Sequence, residues 1–81
     1  MSYFVYILRC SDDTLYTGIT TDVQRRVSEH NSSEKGAKYT KIRRPVEVVY
    51  SEESESRSSA SKREYEIKKL KRREKMELIN A

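Results

Sequence analysis

At 81 residues and a net charge of +4, with 37% charged against 35% hydrophobic side chains, the chain is expected to form one small domain, residues 1–81, that needs nearly all its apolar residues for its core. Cys10 is the single cysteine, which excludes an internal disulfide and a thiolate metal cluster and leaves it the role of a small semi-buried side chain. No apolar run approaches membrane-spanning length, and the strand-like pattern starts at Tyr3 with no room for a signal peptide before it, so a cytoplasmic protein is expected.

Tyr3 to Arg9 reads as a strand, aromatic and branched on both faces. Cys10-Ser11-Asp12-Asp13 is a turn cluster, and Leu15 to Thr20 is a second strand, so the pair should be an antiparallel hairpin. Gly18 inside the second strand signals a bulge or a close backbone approach. Thr21-Asp22-Val23-Gln24 matches a capping box with Thr21 as N-cap, and a helix should follow from about Asp22 to Asn31. Val23, Val27 and His30 form its inward stripe, bordered by Arg26.

Ser32 to Arg44 reads as a polar, basic loop around Gly36, ended by Pro45. Val46 to Tyr50 is the third strand, and Ser51 to Ser56 an acidic, Ser-rich link that supplies N-cap candidates for a helix from about Arg57. Ala60, Glu64 and Ile67, with Leu70 nearby, mark that helix's inward stripe. Lys71 to Ile79 is also helical in composition, and the pattern leaves open whether the helix breaks near Lys71. The fold class is therefore α+β, order β-β-α-β-α(-α), with a three-stranded antiparallel sheet that helices must cover.

Positive charge is uneven. Lys35, Lys38, Lys41, Arg43 and Arg44 crowd the loop with no acid between them, which favours a polyanionic partner, though basic faces are often only solvated. Tyr39, set between Lys38 and Lys41, adds a ring on which a base can stack. Glu64 is the sharpest anomaly: a carboxylate on an inward stripe must be paired, protonated or bound to a cation. It is a candidate ligand for Mg²⁺ or Mn²⁺, which use few carboxylates and take water and phosphate oxygens for the rest. The competing reading is an ion pair with a nearby Lys or Arg. Arg26 and His30, one helical turn apart, suit a phosphate clamp and a proton acceptor, or else a surface pair and a packed core group. Tyr6 and Tyr16 lie on neighbouring strands where their hydroxyls can converge, although strand propensity alone explains them.

Together these residues resemble the GIY-YIG endonuclease domain, in particular its small stand-alone bacterial group. The first motif stands as Phe4-Val5-Tyr6 and the second as Tyr16-Thr17-Gly18. Arg26, His30 and Glu64 match the family's arginine, histidine and metal-binding glutamate. Gly36-Ala37-Lys38-Tyr39-Thr40 and Arg43-Arg44-Pro45-Val46 look like the stand-alone group. The resemblance spans roughly residues 3 to 75. The first motif lacks its Gly and Ile and the second has Thr17 for Ile, both at scaffold positions. Asn80, the one candidate for the late asparagine of some members, is given no role.

The resemblance implies a divalent-metal-dependent DNA endonuclease acting in repair or recombination, with catalytic Tyr6, Tyr16, Arg26, His30 and Glu64. Glu64 would hold Mg²⁺ or Mn²⁺, and Lys35, Lys38, Tyr39, Lys41, Arg43 and Arg44 would hold nucleic acid, DNA before RNA. Which phenol is the base is left open. The alternatives are a non-catalytic nucleic-acid-binding module on the same scaffold and a protein-interaction adaptor using the charged C-terminal helix. A protein partner would supply specificity to a nuclease without an accessory domain.

Overall fold

Tyr3 to Leu8 offers bulky side chains to both sides, which suits a strand covered on both faces. In the computed structural model, which describes residues 2–81, it is the middle strand of the sheet. β1 (Tyr3–Arg9) pairs antiparallel with β2 (Leu15–Thr20) on one edge and β3 (Glu47–Ser54) on the other. The β1–β2 turn is closed by Asp12, whose Oδ1 accepts from the Thr14 amide (3.2 Å) and hydroxyl (2.6 Å). Asp13 takes a left-handed φ of 66°, which a short polar side chain tolerates better than most.

Helices cover the two faces of the sheet. α1 (Val23–Ser32) lies on one, where Val27 packs with Tyr6, Leu8, Cys10, Tyr16 and Val46. α3 (Arg57–Lys68) and α4 (Arg72–Ile79) lie on the other, where Ala60, Ile67, Leu78 and Ile79 pack on Val5, Ile7 and Tyr50. The architecture is α+β in the expected order, with a one-turn helix α2 (Lys38–Lys41) added between α1 and β3.

Three expectations are corrected. Asp22, not Thr21, caps α1: its Oδ1 accepts from the Arg25 amide at 3.1 Å, while Asp22's own amide donates to Thr20 Oγ1. The basic loop contains α2, too short for any periodic pattern to announce. β3 runs on to Ser54 instead of ending at Tyr50, because Ser51–Ser54 pair with Tyr3–Tyr6 and an edge strand can leave polar side chains in water. The chain also bulges in β3, where Ile7 faces Tyr50 but Leu8 faces Val48, so Val49 is the extra residue. At Gly18 the β1–β2 register is regular, with Tyr6 opposite it, so of the two readings of that glycine the close approach holds.

The open question at Lys71 is answered by a break between α3 and α4. Lys71's amide donates to Glu74 Oε1 at 2.9 Å and starts the new helix, which lets Leu78 and Ile79 fold back onto the core. Ser56 opens α3 as predicted, accepting from the Ser59 amide while Ser59 Oγ accepts from Ser56.

Candidate active site

The centre of the α1 face is a hydrogen-bonded chain. Tyr6 Oη stands 2.8 Å from His30 Nε2, and His30 Nδ1 stands 2.8 Å from Thr40 Oγ1. Thr40 in turn donates to the Ala37 carbonyl at 2.9 Å. Tyr6, His30 and Thr40 are buried, with at most 1% of any of them exposed. Such a chain is tolerable in an apolar interior because each polar atom has a partner. The Tyr6 ring can lie where it does because residue 18 is glycine: a Cβ there would meet Tyr6 Oη at 2.5 Å and Cζ at 2.7 Å. Gly36 has a similar duty, since a Cβ would strike the Glu29 carbonyl (2.8 Å) and His30 Cα (3.0 Å) where the loop crosses α1.

Aromatic contacts extend the chain outward. The edge-on Tyr16 ring is 5.2 Å from His30, and Tyr16 stacks on Tyr39 at 5.8 Å. The Arg43 guanidinium lies 3.9 Å from the Tyr39 ring centroid, within cation–π range. Arg43 also donates to Asp12 (3.1 Å) and to the Tyr39 carbonyl (2.9 Å).

Arg26 is held by Nη1, which donates to Glu29 Oε1 (3.0 Å) and the Lys35 carbonyl (2.7 Å). Burial opposes its charge, but the contacts with Glu29 and Tyr6 outweigh that and raise its pKa. Burial pushes the Tyr6 phenol up to about 12; Tyr16 and the Glu64 carboxylate add to the rise and Arg26 opposes it. Burial also pushes His30 down to about 4, with help from Arg26 and Arg44 against the pull of Glu29. At neutral pH both Tyr6 and His30 are therefore uncharged.

Glu64 stands on α3, whose Ala60 and Ile67 pack on the face of the sheet opposite Tyr6. The Tyr6 ring crosses Gly18 on the edge strand β2, α3 packs along β1 and β2, and the Glu64 charge contributes the smallest of the effects that act on the phenol. Glu64 keeps 23% of its side chain exposed and pairs with Lys68 Nζ at 3.4 Å. It is thus partnered, as the competing reading required, but by a half-exposed ammonium. Pairs of that kind are worth about 0–1 kcal/mol and yield to a better cation.

Among the described residues no three His, Cys, Asp or Glu side chains are grouped around one point. A cation held by Glu64 would have that one carboxylate and would draw its other oxygens from solvent or substrate. That set fits Mg²⁺ or Mn²⁺, hard ions that complete their shell with water and phosphate, and does not fit a thiolate- or imidazole-seeking metal.

The nucleic-acid candidates separate. Lys35 and Lys38 are exposed and make no ion pair among the described residues; Lys41 reaches Glu34 at 3.5 Å. Tyr39 is 38% exposed and already engaged by Tyr16 and Arg43. Arg44 turns inward: Nε donates to the His30 carbonyl (2.6 Å) and Nη2 to Ser33 (2.7 Å), so it caps the C-terminus of α1. Sequence reasoning gave no role to Thr40, Glu29 or Asn31. Asn31 clamps α1 to the chain entering β3 through two bonds with Val46 (2.7 and 3.0 Å). For Thr40 there was one partial signal: an inward histidine needs two polar partners, and Thr40 is one of four hydroxyl residues, with Ser32, Ser33 and Tyr39, in the nearby loop.

Comparison with known proteins identifies the family. Residues 2–77 match the GIY-YIG catalytic domain. A UPF0213 protein of Desulfotalea psychrophila is 59% identical over 80 residues, covering 99% of this chain and 73% of the relative. A UPF0213 protein of Staphylococcus aureus is 58% identical over 78 residues, covering 96% and 94%. The solution NMR structure of the UPF0213 protein BH0048 from Bacillus halodurans superposes with a TM-score of 0.62 at 48% identity, covering 99% of this chain and 84% of that one. That of EF2693 from E. faecalis gives 0.67 at 44% identity, with the same coverage. With residues 2–77 matched and relatives 58–59% identical over nearly the whole chain, the chain belongs to the GIY-YIG catalytic-domain family, among its small bacterial UPF0213 relatives.

Proposed function

We propose that the protein is a divalent-metal-dependent endonuclease that hydrolyses DNA phosphodiesters by in-line attack of water. One observation carries this reading: the Tyr6 phenol is bonded to His30 and shares its electrostatic surroundings with Tyr16, Arg26 and Glu64. Glu64 is the residue that would hold Mg²⁺ or Mn²⁺, and the ion would supply positive charge to offset the charge that develops on the leaving oxygen. Arg26 is anchored through Nη1, so the rest of its fork is available to a phosphoryl oxygen and to the charge that grows on it. Tyr6 and His30 together take the proton of the attacking water. In the resting protein that transfer is steeply uphill, with the phenol at about 12 and the imidazole at about 4, so the pair works as a base only beside a cation. Tyr16 positions water or phosphate. Lys35 and Lys38, and less freely Lys41, contact the DNA backbone, with the exposed part of Tyr39 and Arg43 at the border of the site. Arg44 serves the same interface indirectly, by fixing the end of α1 on which the loop rests. The setting is DNA repair or recombination in the bacterial cytoplasm, with a partner protein supplying specificity.

The test is cleavage of branched, nicked and single-stranded DNA in Mg²⁺ or Mn²⁺ by wild type and Glu64→Ala. Cleavage should need the metal and fall to background in the variant, while salt-sensitive DNA binding persists. Equal cutting by both proteins would remove the mechanism. Binding without cutting by wild type on every substrate would leave the non-catalytic module instead.

A further inference from the structure

Tyr6 is 1% exposed, and the acceptor its hydroxyl reaches is His30 Nε2, since its other polar neighbour, the Arg26 guanidinium, can only donate. A buried O–H must spend its proton on an acceptor, so Nε2 carries the lone pair and Nδ1 the hydrogen. Nδ1–H then donates to Thr40 Oγ1, and the Thr40 hydroxyl passes its own proton to the Ala37 carbonyl. Every proton in the chain has one acceptor and all run the same way. In the opposite tautomer Thr40 and the Ala37 amide would both donate to Nδ1. The Ala37 contact is 3.4 Å, beyond the ordinary range of about 2.7–3.2 Å for such bonds, and the Tyr6 proton would then have no acceptor.

We infer that Thr40 is a positioning residue: its hydroxyl fixes His30 in the Nδ1–H tautomer and so leaves Nε2 open to receive the Tyr6 proton. The residue is well placed for this. It sits in the single turn α2, whose start is pinned because the Ala37 carbonyl also accepts the Thr40 amide (3.0 Å) and the Lys41 amide (3.1 Å). The same turn points Lys38 into solvent. One turn of helix therefore joins the surface offered to phosphate and the interior proton chain.

The tautomer can be read without any activity, by ¹⁵N NMR of the His30 ring. Wild type should show Nδ1 protonated and Nε2 bare at neutral pH. Thr40→Val, nearly isosteric but lacking the hydroxyl, should lose that preference, and Thr40→Ser should keep it. The consequence for catalysis rests on the nuclease reading: Thr40→Val should lower kcat at least tenfold with DNA affinity within twofold of wild type, and Thr40→Ser should recover most of the loss. An Nε2–H tautomer in wild type overturns the assignment even if the enzyme cuts DNA. An Nδ1–H tautomer in a protein that cuts nothing keeps the assignment and sinks the nuclease reading instead. If Thr40→Val does not fold, the wild-type spectrum alone decides.

Discussion

Replacing Arg26 with alanine is expected to lower kcat for DNA cleavage by about 10²–10³-fold, or about 3–4 kcal/mol of transition-state stabilisation. DNA affinity should change only a fewfold, because Lys35 and Lys38 remain on the surface. Folding stability should fall by about 1 kcal/mol or less, since the Arg26–Glu29 pair is a partly exposed i,i+3 contact. Arg26→Lys should recover little: an ammonium cannot keep Glu29 and the Lys35 carbonyl on one nitrogen and still offer a planar fork to phosphate. Single-turnover kinetics with a parallel binding titration separates the terms. A loss that appears wholly in affinity would make Arg26 a backbone contact and not a group acting on the reacting phosphate.

The second large effect is on stability. His30 is wholly buried between Tyr6 and Thr40, so His30→Ala removes packing and strands a phenol and a hydroxyl. The cost should be about 2–4 kcal/mol near neutral pH, measured by urea unfolding. It should also depend on pH with a definite sign. The groups around the ring are Tyr6, Thr40, Arg26, Glu29 and Arg44, and burial with the two arginines holds its pKa down at about 4 against an ordinary value of 6.5. Between those values the unfolded chain binds a proton that the folded one refuses, so acid favours unfolding. The histidine's stabilising contribution is complete above about pH 6.5 and declines by about 3 kcal/mol as pH falls to about 4, after which it is level. The gap between wild type and His30→Ala should therefore narrow on acidification. A gap constant across that window would mean the imidazole is not held neutral by its surroundings.

Most of the frame was readable from residue order, for identifiable reasons. β1 is covered on both faces and so carries an unbroken apolar run; the Ser-rich link that ends at Ser56 announces the start of α3. Gly18 was legible as a close approach, but only coordinates show that the object approaching is the Tyr6 ring. What could not be read depended on partners distant in sequence. Ser51–Ser54 look like a linker until β1 is beside them, and α2 is a single turn tied down by contacts rather than by periodicity. Arg44 has the composition of a phosphate ligand and the geometry of a helix cap, a distinction that charge patterning cannot make. Asp22 displaced Thr21 as N-cap because both residue types fit the position and Thr20 bonds the Asp22 amide. Glu64 was correctly singled out as anomalous on its stripe, yet it is neither as buried as Ala60 and Ile67 nor unpaired, since Lys68 holds it at 3.4 Å.

That weak pair bears on the most direct test. If Glu64 and the Tyr6 phenol border one cation site, Mn²⁺ added to ¹⁵N-labelled protein should broaden the resonances of Tyr6, Gly18, Arg26, His30 and Glu64 first, and Glu64→Ala should abolish the effect. Broadening that instead begins at Glu47, Glu52, Glu53 and Glu55 along the β3 edge, or that survives loss of Glu64, would place the ion elsewhere and contradict the account.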